Sequence, residues 1–456
     1  MSPWIPKHAL RDGPIYLAIA DALAADIESG RLREGMRLPT QRQLAADLGI
    51  DLTTVSRAYA EARKRGLIDG KVGQGTYVRS RMQPGKMRSS GLVDMSMNLP
   101  PRFDNPSLAK QMWASIADLQ DNGLNMLMRY QEPGGSYDDR VAGAAWLSGR
   151  VPELAASRVA ITAGAQGAFH AILGIIARPG DTICVEALTY PGFRTVASHL
   201  NLRLASVAMD RQGLVPDDFD RVCRDAKPKA LYCTPTLHNP TTRTMSEARR
   251  REIVAVARAH DIPIIEDDTY GALAADAPAT LAALAPDLVY HVASLSKCVS
   301  PALRVAYVVA PLPIPHGRLA SAIRASASTV SPLSSAIATR WIDTGLAEAI
   351  TEEIHAETAR RISVARNLLQ GDMEWSQGAF HIWVTLPVQW NSAELATRLR
   401  SAGIGAVSAD AFSVDQAPQA LRIGLGVANN ADDLAHAIAR VNDMLALDPL
   451  EPAMVV

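Results

Sequence analysis

From residue 158 to residue 310 the chain repeats one pattern: a short, almost wholly apolar run, a turn, then a segment with helical spacing. RVAIT precedes AGAQGAFHAILGIIA, DTICVEA precedes a helical stretch that ends before LRLASVA, and KALYCTP precedes SEARRREIVAVARAH. IPIIEDD, LVYHVAS and RVAYVVA follow. A strand with one wet face alternates polar and apolar residues, whereas a run that is apolar throughout is buried on both faces. Such strands demand helices above and below a mostly parallel sheet, which makes this region α/β. After about residue 320 the pattern turns to long helical segments and then to FHIWVTLP, GIGAVSA and ALRIGLG. A smaller α+β subdomain over about 320–456 is expected there.

The first 80 residues have a different grammar. PIYLAIADALAADIESGRL carries Ile15, Leu17, Ile19, Ala20, Leu23 and Ile27 at helical spacing, with a stop at Gly30. Thr40-Gln41-Arg42-Gln43 fits a capping box that opens a second helix ending at Gly49. Asp51 is placed to cap a third, LTTVSRAYAEARKRG, ending at Gly66. Two short helices around a glycine turn make a helix-turn-helix candidate, and LIDGKVGQGTYVRS supplies two short strands for a wing. Thr53, Thr54, Ser56 and Arg57 fall at the start of the third helix, where short donors and a guanidinium suit phosphate oxygens and base edges. Arg37, Arg42 and Gln74 flank them as backbone contacts. Charge agrees: residues 1–90 hold 15 Lys and Arg against 9 Asp and Glu, although the whole chain of 456 residues is formally at −1. A basic head on an acidic body is the asymmetry expected when one end meets a polyanion. Residues 81–94 mix Pro, Gly, Ser and basic side chains without periodicity and read as a linker between a domain at 1–80 and another at 95–456.

No G-x-G-x-x-G, Walker loop, HExxH or G-x-S-x-G occurs, so nucleotide-binding and hydrolase chemistry lack their usual motifs. Cys184, Cys223, Cys233 and Cys298 show no C-x-x-C spacing, so neither a zinc site nor a disulfide framework is expected, and a reducing cytoplasm is. The start carries no apolar signal core, and no run is long enough to span a membrane.

The polar clusters of the body lie just past its apolar runs, where open α/β sheets place ligands. They are Thr162-Ala-Gly-Ala-Gln166, Glu186-Ala-Leu-Thr-Tyr190, Asn239-Pro240-Thr-Thr, Glu266-Asp267-Asp268-Thr269-Tyr270 and Ser294-Leu-Ser-Lys297 continuing to Arg304. Each taken singly has an ordinary structural explanation. Three carboxylates behind a buried strand must be hydrogen-bonded, metal-bound or solvated. Together the clusters describe a pyridoxal phosphate site, with a lysine able to form an imine, donors for a phosphate and a carboxylate for a pyridinium nitrogen.

Two resemblances sharpen this reading. P-I-Y…I-x-x-G-R-L…G-M-R-L-P-T-Q-R-Q-L-A…L-G-I…T-T-V-S-R-A-Y…R-G-L…G-x-G-T-Y-V resembles a GntR-family winged helix-turn-helix along its whole length. Leu52 stands where many members have a basic residue. The order Y-x-x-P-x-G, T-x-G-x-Q, E-x-x-x-Y, N-P-T, D-x-x-Y, S-x-S-K-x-x-x-P-x-x-R and a late L-R resembles fold-type I aminotransferases of class I/II, with departures at Asp139, Thr242 and Ala302. That resemblance implies that Lys297 forms the Schiff base with pyridoxal 5′-phosphate and Asp267 pairs with the ring nitrogen. It also implies that Tyr270 and Asn239 bond the ring hydroxyl and that Tyr190 stacks on the ring. The phosphate would be held by Ala165, Gln166, Ser294, Ser296 and Arg304, with Tyr130 reaching across from a partner subunit. Arg422 would grip the carboxylate of an amino-acid ligand.

A GntR-like head on an aminotransferase-like body resembles the MocR subfamily of bacterial transcription regulators. The resemblance implies a cytoplasmic, head-to-tail homodimer that binds operator DNA and senses an amine or amino acid by exchange at Lys297. Physiological catalysis is not expected beyond a residual transamination half-reaction. The alternative is a working aminotransferase with a DNA-binding appendage.

Overall fold

The computed structural model describes residues 4–6, 14–33, 35–71, 75–78, 93–120, 127–312, 314–327 and 329–447, and the chain divides into two compact units, Met1–Ser90 and Gly91–Val456. Most of the expected linker lies outside the described residues. No helix among them is long and apolar enough to cross a membrane.

In the first unit, helices Ile15–Glu28, Gln41–Leu48 and Leu52–Lys64 precede an antiparallel hairpin of β1 (Ile68–Lys71) and β2 (Gly75–Val78). Helix Leu52–Lys64 buries Val55, Ala58, Tyr59 and Ala62, an i, i+3, i+4, i+7 stripe that meets Ile19, Leu23 and Leu44 in one core. Its start differs from expectation, because Asp51 occupies the N-cap without a side-chain bond into the helix. Half of the expected box at Thr40 forms. Thr40 Oγ1 accepts from the Gln43 amide at 3.2 Å, but the Gln43 side chain donates to Asp47, one turn on, instead of reaching back.

The second unit is built on a seven-stranded sheet in the order β3 (Val159–Thr162), β11 (Ala306–Val309), β10 (Val289–Ser294), β9 (Ile264–Asp267), β8 (Leu231–Cys233), β4 (Thr182–Glu186), β5 (Arg203–Val207). Every pairing is parallel except those of β11, which runs against both β10 and β3. Strands β3, β8, β9, β10 and β11 are buried at every residue, as their uninterrupted apolar character requires. A two-residue hairpin, β6 (Met209–Asp210) with β7 (Gly213–Leu214), lies outside this sheet. The carboxyl ends of β3, β4, β8, β9 and β10 share one edge, so Thr162, Glu186, Asp267 and Ser294 all arrive there.

A second, antiparallel sheet orders β12 (Met373–Glu374), β13 (His381–Thr385), β15 (Ala420–Gly424) and β14 (Val407–Ser408). The expected boundary near 320 falls too early. Helix His316–Ala327 packs on helix Gly164–Ile176, and Ala338, Trp341, Ile342, Ile350 and Ile354 share a core with strands of the large sheet. The change comes inside helix Leu346–Leu368, whose Ile362 and Ala365 join the core of the small sheet. That core also takes in Met95, and Val93 bridges to Ile404, so chain from the start of the unit completes it.

Two departures from the family pattern have local explanations. Asp139 completes a capping box with Ser136 and also accepts from Ser335 and Thr339, tying helix Tyr137–Leu147 to helix Pro332–Asp343. Thr242 takes φ 62, the left-handed region a glycine adopts freely and a β-branched residue enters at a cost of about 1–2 kcal/mol.

Candidate functional site

Along the shared strand edge lies a cavity of about 560 Å³, within the size range of small-molecule sites. Lys297 enters it from the single helical turn Leu295–Cys298 that follows β10. Its amine donates to the carbonyl oxygen of Asn98. Burial, reinforced by the charges of Arg422 and Arg304 and opposed by Asp267, lowers the Lys297 pKa to about 8.

Asp267, the last residue of β9, is 6% exposed, accepts from the Tyr232 hydroxyl at 2.8 Å and from the Thr269 amide at 3.2 Å. Burial nonetheless raises its pKa. Tyr270 lines the same wall, its hydroxyl bonded to the Asn98 side-chain amide at 2.7 Å. Burial pushes this phenol up as well. Tyr190, after β4, accepts from Gln166 at 3.3 Å. Its ring lies so close to Gly192 that a Cβ there would come within 2.4 Å, so only glycine fits beside it.

At the far end, Ala165 and Gln166 open helix Gly164–Ile176, presenting backbone N–H groups of the kind that bind anions. Gly164 has φ 77, and a Cβ on it would sit 3.0 Å from the Arg304 guanidinium, which therefore lies flat against the helix start. Ser294 Oγ and Ser296 Oγ are 3.1 Å apart in the same wall. Arg304 makes no hydrogen bond or ion pair among the described residues. Arg422, on β15, donates to Asn239 Oδ1 at 3.1 Å and to the Ser96 carbonyl, while its Nε is buried without a partner. The structure thus brings the expected body residues into one cavity, with the exception of Tyr130, which is fully exposed and lines none of it.

Several contributors carry no motif. Ser96 and Asn98 come from the segment before the first helix of the unit, and His381 from β13. Beneath the cavity, strand alternation turns Glu266 and Asp268 away from Asp267 into a buried network. Glu266 accepts from the amides of Leu281 and Ala282 at 2.8 and 3.0 Å and bonds His291 Nδ1 at 2.9 Å. Asp268 takes two bonds from Arg150, at 2.9 and 3.0 Å. Burial pushes the His291 imidazole toward its neutral form, but the Glu266 hydrogen bond and the charges of Glu266 and Asp268 win, and its pKa rises. A raised folded value means that the imidazolium contributes stability present in full below about pH 6.5, its unfolded value. That contribution fades as pH climbs through the raised value. Urea titrations across this range are expected to show wild-type stability falling with pH above 6.5 and a flatter profile for His291→Gln.

In the first unit, Thr53, Arg57, Arg42 and Arg37 are exposed and Thr54 is half-buried. Arg57 lies over the Tyr16 ring, 5.9 Å from its centroid. Arg37 bridges to Tyr77 and packs against Gly75, in the wing. Ser56 is turned inward, its hydroxyl donating to Gln41 at 2.8 Å, so it braces the two helices instead of standing free. Gln74 lies outside the described residues.

Residues 90–441 match the family Aminotransferase class I and II, and residues 15–78 match bacterial regulatory proteins of the gntR family. The HTH-type transcriptional regulator YdeF of Bacillus subtilis is 28% identical over 451 residues, covering 97% of this chain and 96% of the relative. TauR of Rhodobacter capsulatus, also an HTH-type transcriptional regulator, is 29% identical over 438 residues, 86% of this chain and 88% of the relative. The kynurenine aminotransferase of Pyrococcus horikoshii has a similar fold, with a TM-score of 0.71 at 22% identity over 80% of this chain and 93% of that one. The chain belongs to the aminotransferase class I and II family and carries a gntR-family domain at its N-terminus, the arrangement of the MocR subfamily of GntR regulators.

Proposed function

We propose that this protein is a DNA-binding transcription regulator whose second unit holds pyridoxal 5′-phosphate and responds to a small amino compound. One observation carries the reading: in a chain that begins with a winged helix-turn-helix, a buried lysine amine of lowered pKa shares a cavity with a buried carboxylate and an uncommitted guanidinium. The residues fit the cofactor. The flat approach of Arg304 to Gly164 leaves a cradle with backbone N–H donors that suits a phosphate, and Ser294 and Ser296 add hydroxyls. Bound there, pyridoxal phosphate would supply an aldehyde that bonds reversibly to a primary amine.

The chain's own groups then have defined tasks. Lys297, with a pKa near 8, keeps a share of its amine uncharged near neutral pH, and only that form is a nucleophile. Asp267 stands ready to neutralise a ring-nitrogen cation, which in turn would offset the burial that raises its pKa. Tyr190 offers a ring face and Asn239 and Tyr270 offer donors near the ring oxygen. Arg422 Nε is free to donate to a ligand carboxylate. The exposure of Tyr130, as of Met128 and Tyr137, supports a homodimer in which Tyr130 reaches the phosphate of the neighbouring copy. The resemblance adds that the two subunits lie head to tail. In the first unit, Arg37, Arg42, Thr53, Thr54 and Arg57 contact operator DNA.

The test uses a duplex selected from a random-sequence pool by the full-length protein loaded with pyridoxal phosphate. Anisotropy titrations are expected to give tight binding that weakens steeply with salt. Arg42→Ala should reduce the slope of log K against log salt by about 1. At least one amine from a panel should shift the affinity. Salt-independent binding, or multiple-turnover transamination without any amine effect on DNA affinity, overturns the reading.

A further inference from the structure

Asn98 is bonded in a way that dictates the orientation of its side-chain amide, and His381 is the starting point. His381 Nε2 lies 3.3 Å from the carbonyl oxygen of His238, an atom that only accepts, so Nε2 carries the ring proton. Burial, with the Arg422 guanidinium nearby, holds the ring neutral, which leaves Nδ1 a bare acceptor. The Asn98 atom 3.3 Å from Nδ1 must therefore be the NH2 group. The same nitrogen lies 2.7 Å from the Tyr270 hydroxyl oxygen, so the phenol accepts there and keeps its own proton for another partner. Both amide hydrogens are then used.

The opposite end of the amide is different. Asn98 is 9% exposed and lines the cavity, and its Oδ1 is buried with no hydrogen-bond partner among the described residues. Its backbone oxygen receives the Lys297 amine. An unpartnered acceptor in a buried wall is costly to maintain unless something that enters the cavity bonds to it.

We propose that Asn98 selects the small molecule: its Oδ1 accepts a hydrogen bond from an N–H or O–H group of the ligand, so the compound recognised is an amine or amino acid that bears a second donor. This rests on the reading that the cavity binds an amino compound. His381 is a positioning residue, which acts through Asn98 by denying the amide its flipped orientation. A flipped amide would turn NH2 toward the ligand and its oxygen toward the lone pair of Nδ1, which repels it. The site thus favours a donor over an isosteric methyl group.

The experiment compares matched ligands on full-length protein loaded with pyridoxal phosphate, followed by the absorption change on titration. L-serine is paired with L-2-aminobutyrate, and L-2,4-diaminobutyrate with L-norvaline, each pair exchanging a donor for a methyl group. Wild type is expected to favour the donor in at least one pair by about tenfold or more. Asn98→Ala should bring that ratio close to one, and His381→Phe should move it the same way. Loss of folding would weaken both members of a pair alike and leave their ratio unchanged. A ratio that persists in Asn98→Ala, or that is near one for both pairs in wild type, overturns the inference. Where Asn98→Ala fails to take up the cofactor, His381→Phe decides by the same ratio. A wild-type protein without a cofactor absorption band overturns the cofactor reading and this inference with it, whereas a normal band with unselective amine binding overturns this inference alone.

Discussion

Lys297→Ala is expected to bind DNA as wild type does in the absence of amine and to lose the amine response altogether. Among the described residues no other lysine lines the cavity, so the variant has no amine there to attach to the cofactor aldehyde and nothing for a ligand amine to displace. A coupling between ligand and DNA of about 1–3 kcal/mol, the usual size for allosteric effectors, should fall to zero. Anisotropy with and without a responsive amine measures it, and a full response in the variant would sink the exchange mechanism. The cofactor-free variant should not be less stable than wild type near neutral pH. Its wild-type counterpart buries an ammonium whose pKa is lowered from 10.5 to about 8, a penalty of about 3 kcal/mol that is present in full below pH 8. Loss of the lysine's alkyl packing offsets part of that relief, by about 1–2 kcal/mol. Chemical denaturation at pH 7 distinguishes the two terms.

Arg250→Ala is expected to be the most damaging single change in the second unit. The guanidinium is fully buried and donates to the carbonyls of Met245, Ala279 and Pro235 and to the Thr236 hydroxyl, at 2.9 to 3.1 Å. It also lies 3.8 Å from Glu266. Removing it takes a donor from each of these four acceptors, although Arg150 still reaches the Thr236 hydroxyl and the Met245 amide still reaches the Pro235 carbonyl. It also leaves Glu266 with His291 and the more distant Arg150 as counter-charges. Breaking a buried pair from one side costs about 3–5 kcal/mol, a large part of a typical 5–15 kcal/mol stability. The urea midpoint should fall accordingly, with the slope unchanged. Arg250→Lys should recover only part of the loss, because one ammonium cannot serve all four acceptors. The loop that Arg250 holds at Pro235 and Met245 also carries Asn239, so cofactor affinity should fall alongside stability.

How much of this was legible in the sequence depends on what kind of signal each part left. The large sheet was plain because five of its strands are buried at every position and so are apolar at nearly every position. The cavity residues were found because they cluster within a few positions of strand ends, where short motifs survive. The run Glu266-Asp267-Asp268 raised the right question, and the period of two answers it: one carboxylate faces the cavity and two face Arg150, Arg250 and His291. Asn98 was invisible for the opposite reason. Its partners Tyr270 and His381 are 172 and 283 residues away, and no local pattern marks a residue whose importance comes from where distant segments cross. For Ser56, helical spacing at a helix start does not reveal the bond its hydroxyl makes back to Gln41. The small subdomain boundary was placed early because one long helix, Leu346–Leu368, serves two cores in succession.

The segment at 93–98 joins these themes. It is the first described stretch beyond the DNA-binding unit, it bridges Ile404 through Val93 and accepts from Gly424 of β15 at Met95, and its carbonyls at Ser96 and Asn98 receive Arg422 and Lys297. The two cations that would greet a ligand are thus the same two that grip this stretch of main chain. A ligand that engages the Lys297 amine competes with the Asn98 carbonyl for it, while Arg422 can meet the ligand through Nε and keep its bond to Ser96. Occupancy of the cavity is therefore expected to register as a change in amide hydrogen exchange across residues 93–98, the way a knot reports on a rope.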